Sequence, residues 1–433
     1  MSKNPRPTLS IALVLTLMLA GAALAHGQYK VIFRFPGGAG GDDPYPVISD
    51  AGGNLYGVTQ FGGVSSGDGW GTVYKLSPGS GGSWNETVLY SFTGGADGGS
   101  PEAALTMDAA GNLYGTTQVG GLFDCEQYCG LVFEVSPNGD GTWSEKVLHS
   151  FTGAPDGFAP VNGVVFDKTG NLYGTTGAGG TGEGTVFELM PNGDGTWTEN
   201  ILENFSSTGK LGNHSSSTLF FDKAGNLYGT MASGGDLSCN KPFGCGTVFE
   251  LSPQAGGTWT TRILHTFSGP EGGDPDWLTM DGSGNLFGAA YDQGSTACTA
   301  TFFPGCGTVF ELTPVAGGKW KPSLPHKFQG APGEAPVGVI VDSAGSLYGT
   351  TAFSGTNVCG STVCGTAFKM TPVAGGGYTF STLHQFLGGT DGYEPQGGPI
   401  IAPNGNIYGV TFFGGDSNCG AFDGCGTVYQ ITP

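Results

Sequence analysis

The sequence predicts an all-β protein, a seven-bladed β-propeller with four antiparallel strands per blade and an N-terminal strand closing the last blade. Three observations predict it. A short motif returns seven times in one register, each repeat holds four β-rich segments separated by tight-turn chemistry, and the seventh repeat stops one strand short while a matching strand stands near the N-terminus.

The recurring motif is Asn-Leu-Tyr-Gly, at Asn54, Asn112, Asn171 and Asn226, then at Asn285 with Phe for Tyr, at Ser346 and at Asn406. Successive starts lie 58, 59, 55, 59, 61 and 60 residues apart. A second motif, Gly-Thr-Val-Phe-x-Leu, follows each copy from Gly71, Gly130, Gly184, Gly246, Gly307, Gly365 and Gly426, and a Pro closes it, from Pro78 to Pro433. A third runs from Trp to Val-Leu-x-x-Phe, as in Trp84 to Phe92, Trp143 to Phe151 and Trp259 to Phe267. The second repeat shows the four strands: Glu102–Asp108, Asn112–Gln118, Leu131–Ser136 and Trp143–Phe151. Their β-branched and aromatic residues suit a pleated, packed surface. Asp108-Ala-Ala-Gly-Asn112 and Pro137-Asn-Gly-Asp-Gly141 supply turns that tolerate positive φ. A β-helix is the competing architecture, but its rungs are much shorter.

The seventh repeat ends at Thr432-Pro433, after its third strand, and Tyr29–Phe35 matches the Val-Leu-x-x-Phe segment with Phe35 at the position of Phe92. The N-terminal strand therefore completes the last blade and removes a sheet edge. Repeats fall near 36–92, 93–151, 152–205, 206–267, 268–328, 329–386 and 387–433 plus 29–35, in one domain spanning 26–433.

These tandem Gly-Gly … Gly-Thr-Val-Phe-x-Leu units look like the GloVer repeats of exported bacterial proteins, and the resemblance covers nearly all of residues 30–433. It implies an exported, repetitive protein; it implies no biochemical activity.

Residues 1–25 read as a signal peptide: Lys3 and Arg6, an apolar stretch from Ile11 to Ala23, and Ala23-Leu24-Ala25 before His26. A secreted, extracellular or cell-surface protein is expected, with the periplasm as the other compartment and no membrane insertion after cleavage. The mature chain would carry 13 basic against 35 acidic residues, a balance of −22. Such a surface repels nucleic acid and anionic lipid. A monomer is expected, with an extracellular glycan or protein as partner.

Ten cysteines lie in the loops before the Gly-Thr-Val-Phe strands of five repeats. An even count, local spacing and expected export favour the disulfides Cys125–Cys129, Cys239–Cys245, Cys298–Cys306, Cys359–Cys364 and Cys419–Cys425 over metal binding.

With strands A to D counted outward from the axis, the A–B and C–D turns share one face. The cysteine loop (B–C) and the loop between blades (D–A) share the other, where variable loops gather. The D–A loops carry Asp-Gly-x-x-Pro, with Asp97, Asp156 and Asp391 as candidate Ca²⁺ ligands, and looser versions at Asp42, Asp43, Asp274 and Glu334. The simpler reading is a duplicated Asx-type turn, and no cofactor is firmly implied. His149, His265, His326 and His384 share one strand-D position with Tyr90 and Glu203, which marks packing rather than base catalysis; His214 alone breaks pattern.

Trp70 and Trp277 are the tryptophans outside the repeat pattern. Trp277 stands near the axial end of strand A, level with Tyr45, Glu102, Asp276 and Gln396 of other blades. An aromatic among carboxylates and amides suits a sugar, and the plainer reading of Trp277 is a channel plug. The sequence thus reads as a binding or scaffold propeller without assigned catalytic residues. The alternative is an extracellular glycoside hydrolase, lyase or lactonase using channel-mouth carboxylates.

Overall fold

A computed structural model describes residues 28–63, 69–122, 129–206, 211–298, 305–331, 333–353, 358–359, 362–415, 419 and 424–433, apart from the side chains of Asn213, Val358, Cys359, Thr362 and Val363. Residues 1–25, the expected signal peptide, lie outside the described residues.

Seven sheets follow the seven repeats, and Val358–Cys359 pairs with Thr362–Val363 in a separate two-stranded sheet. Blade 1 comprises Asp42–Pro44 with Ile48–Ser49, then Leu55–Phe61, Thr72–Pro78 and Trp84–Ser91. Blade 2 comprises Thr106–Met107, Leu113–Thr117, Leu131–Pro137 and Trp143–Ser150. Blade 3 comprises Val165–Phe166, Leu172–Thr175, Thr185–Pro191 and Trp197–Asn204. Blade 4 comprises Asn213–Ser215 with Phe220–Phe221, then Leu227–Ser233, Thr247–Pro253 and Trp259–Thr266. Blade 5 comprises Gly273–Met280, Leu286–Asp292, Thr308–Val315 and Lys319–Lys327, and blade 6 Glu334–Val341, Leu347–Phe353, Thr366–Pro372 and Tyr378–Gln385. In blade 7, Tyr393–Ile401, Ile407–Phe413 and Thr427–Thr432 are joined by Gln28–Arg34.

The closure strand pairs antiparallel with the last strand from Gln28 opposite Thr432 to Arg34 opposite Thr427, with a bulge between Val31 and Phe33. Other outer strands bulge at the same place, as between Val147 and His149. Phe35 is fully buried and meets Tyr74 of blade 1 edge to face at 5.0 Å. The same contact recurs as Phe92–Phe133 at 5.1 Å, Phe151–Phe187 at 5.2 Å and Phe267–Phe310 at 5.0 Å. Closure thus reuses the packing that joins covalently consecutive blades.

Each motif has a physical reason. Asp50 accepts the backbone N–H of Asn54 at 2.8 Å, its side-chain amide at 2.7 Å and the Tyr56 hydroxyl at 3.1 Å, which ties the A–B turn to strand B. Asp108, Asp167 and Asp222 do the same. The motif's Gly lies directly opposite the aromatic of strand C, as Gly115 opposite Phe133. A Cβ on Gly115 would stand 2.6 Å from Phe133 Cζ. The Gly opening strand C serves the next blade: at Gly71, with φ +91°, a Cβ would come within 2.6 Å of Pro101 Cδ. The Pro of Asp-Gly-x-x-Pro therefore seats on the preceding blade.

Strand A is less regular than the sequence predicts. In blade 2 the expected Glu102–Asp108 strand shortens to Thr106–Met107, and in blades 5, 6 and 7 strand A bulges at Asp276/Leu278, Pro336/Gly338 and Gln396/Ile400. Seven inner strands crowd one axis, and the bulges stand where backbones approach most closely; a Cβ on Gly338 would lie 2.4 Å from the Gly398 nitrogen.

Three of the expected disulfides are present: Cys239–Cys245, Cys298–Cys306 and Cys419–Cys425. Cys129 and Cys364 are disulfide-bonded too, while Cys125 and the Cys359 side chain lie outside the described residues. No described helix is long and apolar enough to cross a membrane.

Candidate functional site

The residue before the D–A loop Pro, or before Ser215 in blade 4, is left-handed in all seven blades: Asp43, Ser100, Ala159, His214, Asp274, Ala335 and Glu394 have φ between 50° and 56°. This conformation costs non-glycine residues about 1–2 kcal/mol each, and here it turns the chain from the loop into strand A. His214 breaks the sequence motif but not the backbone pattern. Glu394, absent from the sequence-level candidates, occupies the same position as Asp43 and Asp274, so aligning the repeats on the Pro would have found it.

Past this turn the inner strands converge on a cavity of about 240 Å³ whose wall includes Tyr45, Glu102, Asp276, Trp277 and Gln396. Five of the six sequence-level ligand candidates therefore meet, from blades 1, 2, 5 and 7. Blades 3 and 4 add Asn162 and Ser216, held by bonds from Asn162 Nδ2 to the Ser215 carbonyl at 2.9 Å and from Ser216 Oγ to the Pro275 carbonyl at 2.5 Å.

Trp277 is the extra residue of the blade 5 bulge and is itself left-handed, at φ 49°. Its N–H donates to Asp276 Oδ1 at 2.7 Å. Its indole lies against Gly398 of blade 7, where a Cβ would stand 2.4 Å from Cε2. The ring thus reaches from blade 5 to blade 7, and only glycine there makes room for it. It lines the cavity.

Burial pushes Glu102 up to about 7, partly offset by a 2.6 Å hydrogen bond from Gln60. Burial and then the Asp274 charge push Asp276 up to about 8, against the Trp277 N–H. Asp43 rises to about 8 through burial, Asp42 and Glu394. Asp274 rises to about 6 through burial alone. Burial followed by the neighbouring carboxylates Glu102 and Asp43 raises the Tyr45 hydroxyl. The axial end thus mixes carboxyls raised to about 7–8, at Glu102, Asp276 and Asp43, with Asp274 at about 6, and presents donors as well as acceptors near neutral pH.

Trp70 lies apart from this cavity. Its carbonyl accepts the Ser100 N–H at 2.9 Å and its indole packs where Gly94 and Gly99 leave space. The three loop aspartates are not brought together either; each braces its own loop. Asp97 accepts from Tyr90 at 3.0 Å and the Thr93 N–H at 2.9 Å. Asp156 pairs with His149 at 3.2 Å and accepts the Thr152 N–H at 2.7 Å. Asp391 pairs with His384 at 2.8 Å and accepts the Leu387 N–H at 2.9 Å. The strand-D histidine position is thus a partner of the loop Asp.

A larger recess, about 800 Å³, opens between blades 3 and 4 on the opposite face, beside Tyr173 and Trp259. It is an enlarged form of a groove built by repeated residues, since Trp84 and Tyr408 line a smaller one between blades 7 and 1. Of these three, the axial cavity singles out residues the repeats do not share.

The Gloeobacter/Verrucomicrobia repeat matches residues 22–243, 123–303 and 237–433. No curated protein sequence matches the chain. Among solved structures it is similar, at 12% identity, to a luciferin-regenerating enzyme (TM-score 0.44, 77% of this chain and 91% of that one). It is also similar to a putative oxidoreductase (glucose dehydrogenase) of Thermus thermophilus (12% identity, TM-score 0.42, 94% and 99%). The PQQ domain of pyranose dehydrogenase from Coprinopsis cinerea is a third (12% identity, TM-score 0.43, 94% and 97%). At this level nothing about activity passes from them to this chain.

Proposed function

The chain belongs to the Gloeobacter/Verrucomicrobia repeat family, and we propose that it is an exported binding module whose axial cavity takes a small uncharged polyhydroxylated ligand, a sugar in chemical class. The observation that carries this reading is the convergence of Trp277, Asp276, Glu102, Tyr45 and Gln396 on one cavity. An indole offers an apolar face to a sugar ring, and carboxyls and an amide exchange hydrogen bonds with hydroxyls. Disulfide-bonded cysteines support export, because such bonds persist in oxidising compartments.

Screening the purified protein on a glycan array, then measuring affinity for a hit, tests the proposal. Trp277→Ala should weaken binding about tenfold, on the order of 1–2 kcal/mol for a lost stacking group, and leave the fold intact. A sharply lowered melting temperature with unchanged affinity would make Trp277 a plug and sink the site.

One observation favours a second reading. Glu102, raised to about 7 by burial in this cavity, has the pKa of a general acid for a glycoside. A hydrolysis assay run beside the array separates the two: turnover abolished by Glu102→Gln would make the protein a hydrolase.

A further inference from the structure

We infer that the seam between blades 2 and 3 holds a divalent transition-metal site of the Zn²⁺ class, formed by His149, Asp156 and Glu199. His149 comes from the outer strand of blade 2, Asp156 from the loop that follows it, and Glu199 from the outer strand of blade 3. His149 Nε2 lies 3.2 Å from Asp156 Oδ1 and 3.8 Å from Glu199 Oε1. One ligand atom from each of the three residues lies within 4.8 Å of the other two. Ligands about 2 Å from a tetrahedral ion stand roughly 3.3 Å from one another, so the two separations from His149 are close to what such an ion requires.

Three further facts bear on the site. Glu199 Oε1 is buried without a hydrogen-bond partner among the described residues, as are the equivalent Oε1 atoms of Glu86 and Glu145, but of the three only Glu199 has a histidine nitrogen within 4 Å. Asp156 is oriented from behind, its other oxygen accepting the Thr152 N–H at 2.7 Å, as outer-shell bonds orient metal ligands. The side chains stay between 10% and 19% exposed, which leaves an entry path and room for water at the remaining positions.

The same three positions at other seams lack this donor set. Between blades 1 and 2 they hold Tyr90, Asp97 and Glu145, the Tyr90 hydroxyl donating to Asp97 at 3.0 Å. Between blades 6 and 7 the third position is Tyr29, whose ring stacks on His384 at 3.4 Å. The two other groups of clustered donors among the described residues contain disulfide-bonded cysteines, whose sulfurs carry no thiolate. An imidazole with two carboxylates suits Zn²⁺ or its first-row neighbours, whereas Ca²⁺ prefers six to eight oxygens. The ion would clip blade 2 to blade 3, whose own B–C loop carries no cysteine.

Isothermal titration of ZnCl₂ into the EDTA-stripped full chain tests this. One equivalent should bind and raise the melting temperature. His149→Tyr, which installs the arrangement of the blade 1 seam, and Glu199→Gln should each weaken binding at least tenfold, with the metal-free melting temperature of His149→Tyr unchanged. Wild-type affinity in both variants would overturn the site. So would loss of binding in Glu102→Gln alone, which would move the ion to the axial cavity, or binding of CaCl₂ in preference to ZnCl₂.

Discussion

Replacing Phe35 with alanine asks whether ring closure is worth as much as an ordinary blade junction. Phe35 is fully buried, meets Tyr74 at 5.0 Å and Phe33 at 5.1 Å, and its backbone N–H donates to Gly426 at 3.1 Å. Truncating a buried Phe costs about 3–5 kcal/mol including the cavity left behind, and losing an edge-to-face partner accounts for about 0.5–1.5 kcal/mol of such a loss. Phe92 is equally buried and meets Phe133 at 5.1 Å, but it is covalently continuous with both blades it joins. We expect Phe35→Ala and Phe92→Ala to cost similar amounts in urea unfolding, about 4 kcal/mol. Phe35→Ala should in addition release the edge of Thr427–Thr432 and promote self-association, visible by light scattering. A cost under about 1 kcal/mol for Phe35→Ala beside a full cost for Phe92→Ala would refute the claim that the N-terminal strand closes the ring.

Three more expectations follow from the same geometry. Gly115→Ala, whose Cβ would lie 2.6 Å from Phe133 Cζ and 3.0 Å from Leu105 Cδ2, should cost about 1–3 kcal/mol in denaturant unfolding, whereas Gly139→Ala, which meets nothing within 4 Å, should change stability by under about 0.5 kcal/mol. Because Glu102, Asp276 and Asp43 titrate higher in the folded chain than in the unfolded one, their contribution is complete below about pH 4 and is lost progressively as pH rises to about 7 to 8. Melting temperature should therefore fall between about pH 4 and pH 8, and Glu102→Gln should flatten that slope. Replacing Cys239 and Cys245 together by serine should cost about 2 kcal/mol, since they close a loop with a sequence separation of only 6; mass mapping of non-reduced peptides should also find Cys125–Cys129 and Cys359–Cys364, and free thiols would contradict the pairing.

The sequence alone determined blade number, strand order and closure, because each rests on local rules applied seven times. Asp50, Asn54 and Tyr56 form one turn within seven residues, and Gly115 and Phe133 face each other across one ladder. Duplication repeats such short-range solutions in readable register. It also marked Trp277, Asp276, Glu102, Tyr45 and Gln396, since a site on the ring axis must use residues that differ between blades.

What the tertiary structure decided lies between blades, where no local pattern links the partners. It set Trp277 against Gly398 across the axis, left Trp70 outside the cavity, and drew His149 and Glu199 to one seam. It also decided which carboxyls hold protons, for that depends on burial and on facing charges such as the Asp274 charge felt by Asp276. Alternation and turn residues encode which way a side chain points within its own blade. Only the closing of seven blades about one axis determines what it meets in the next.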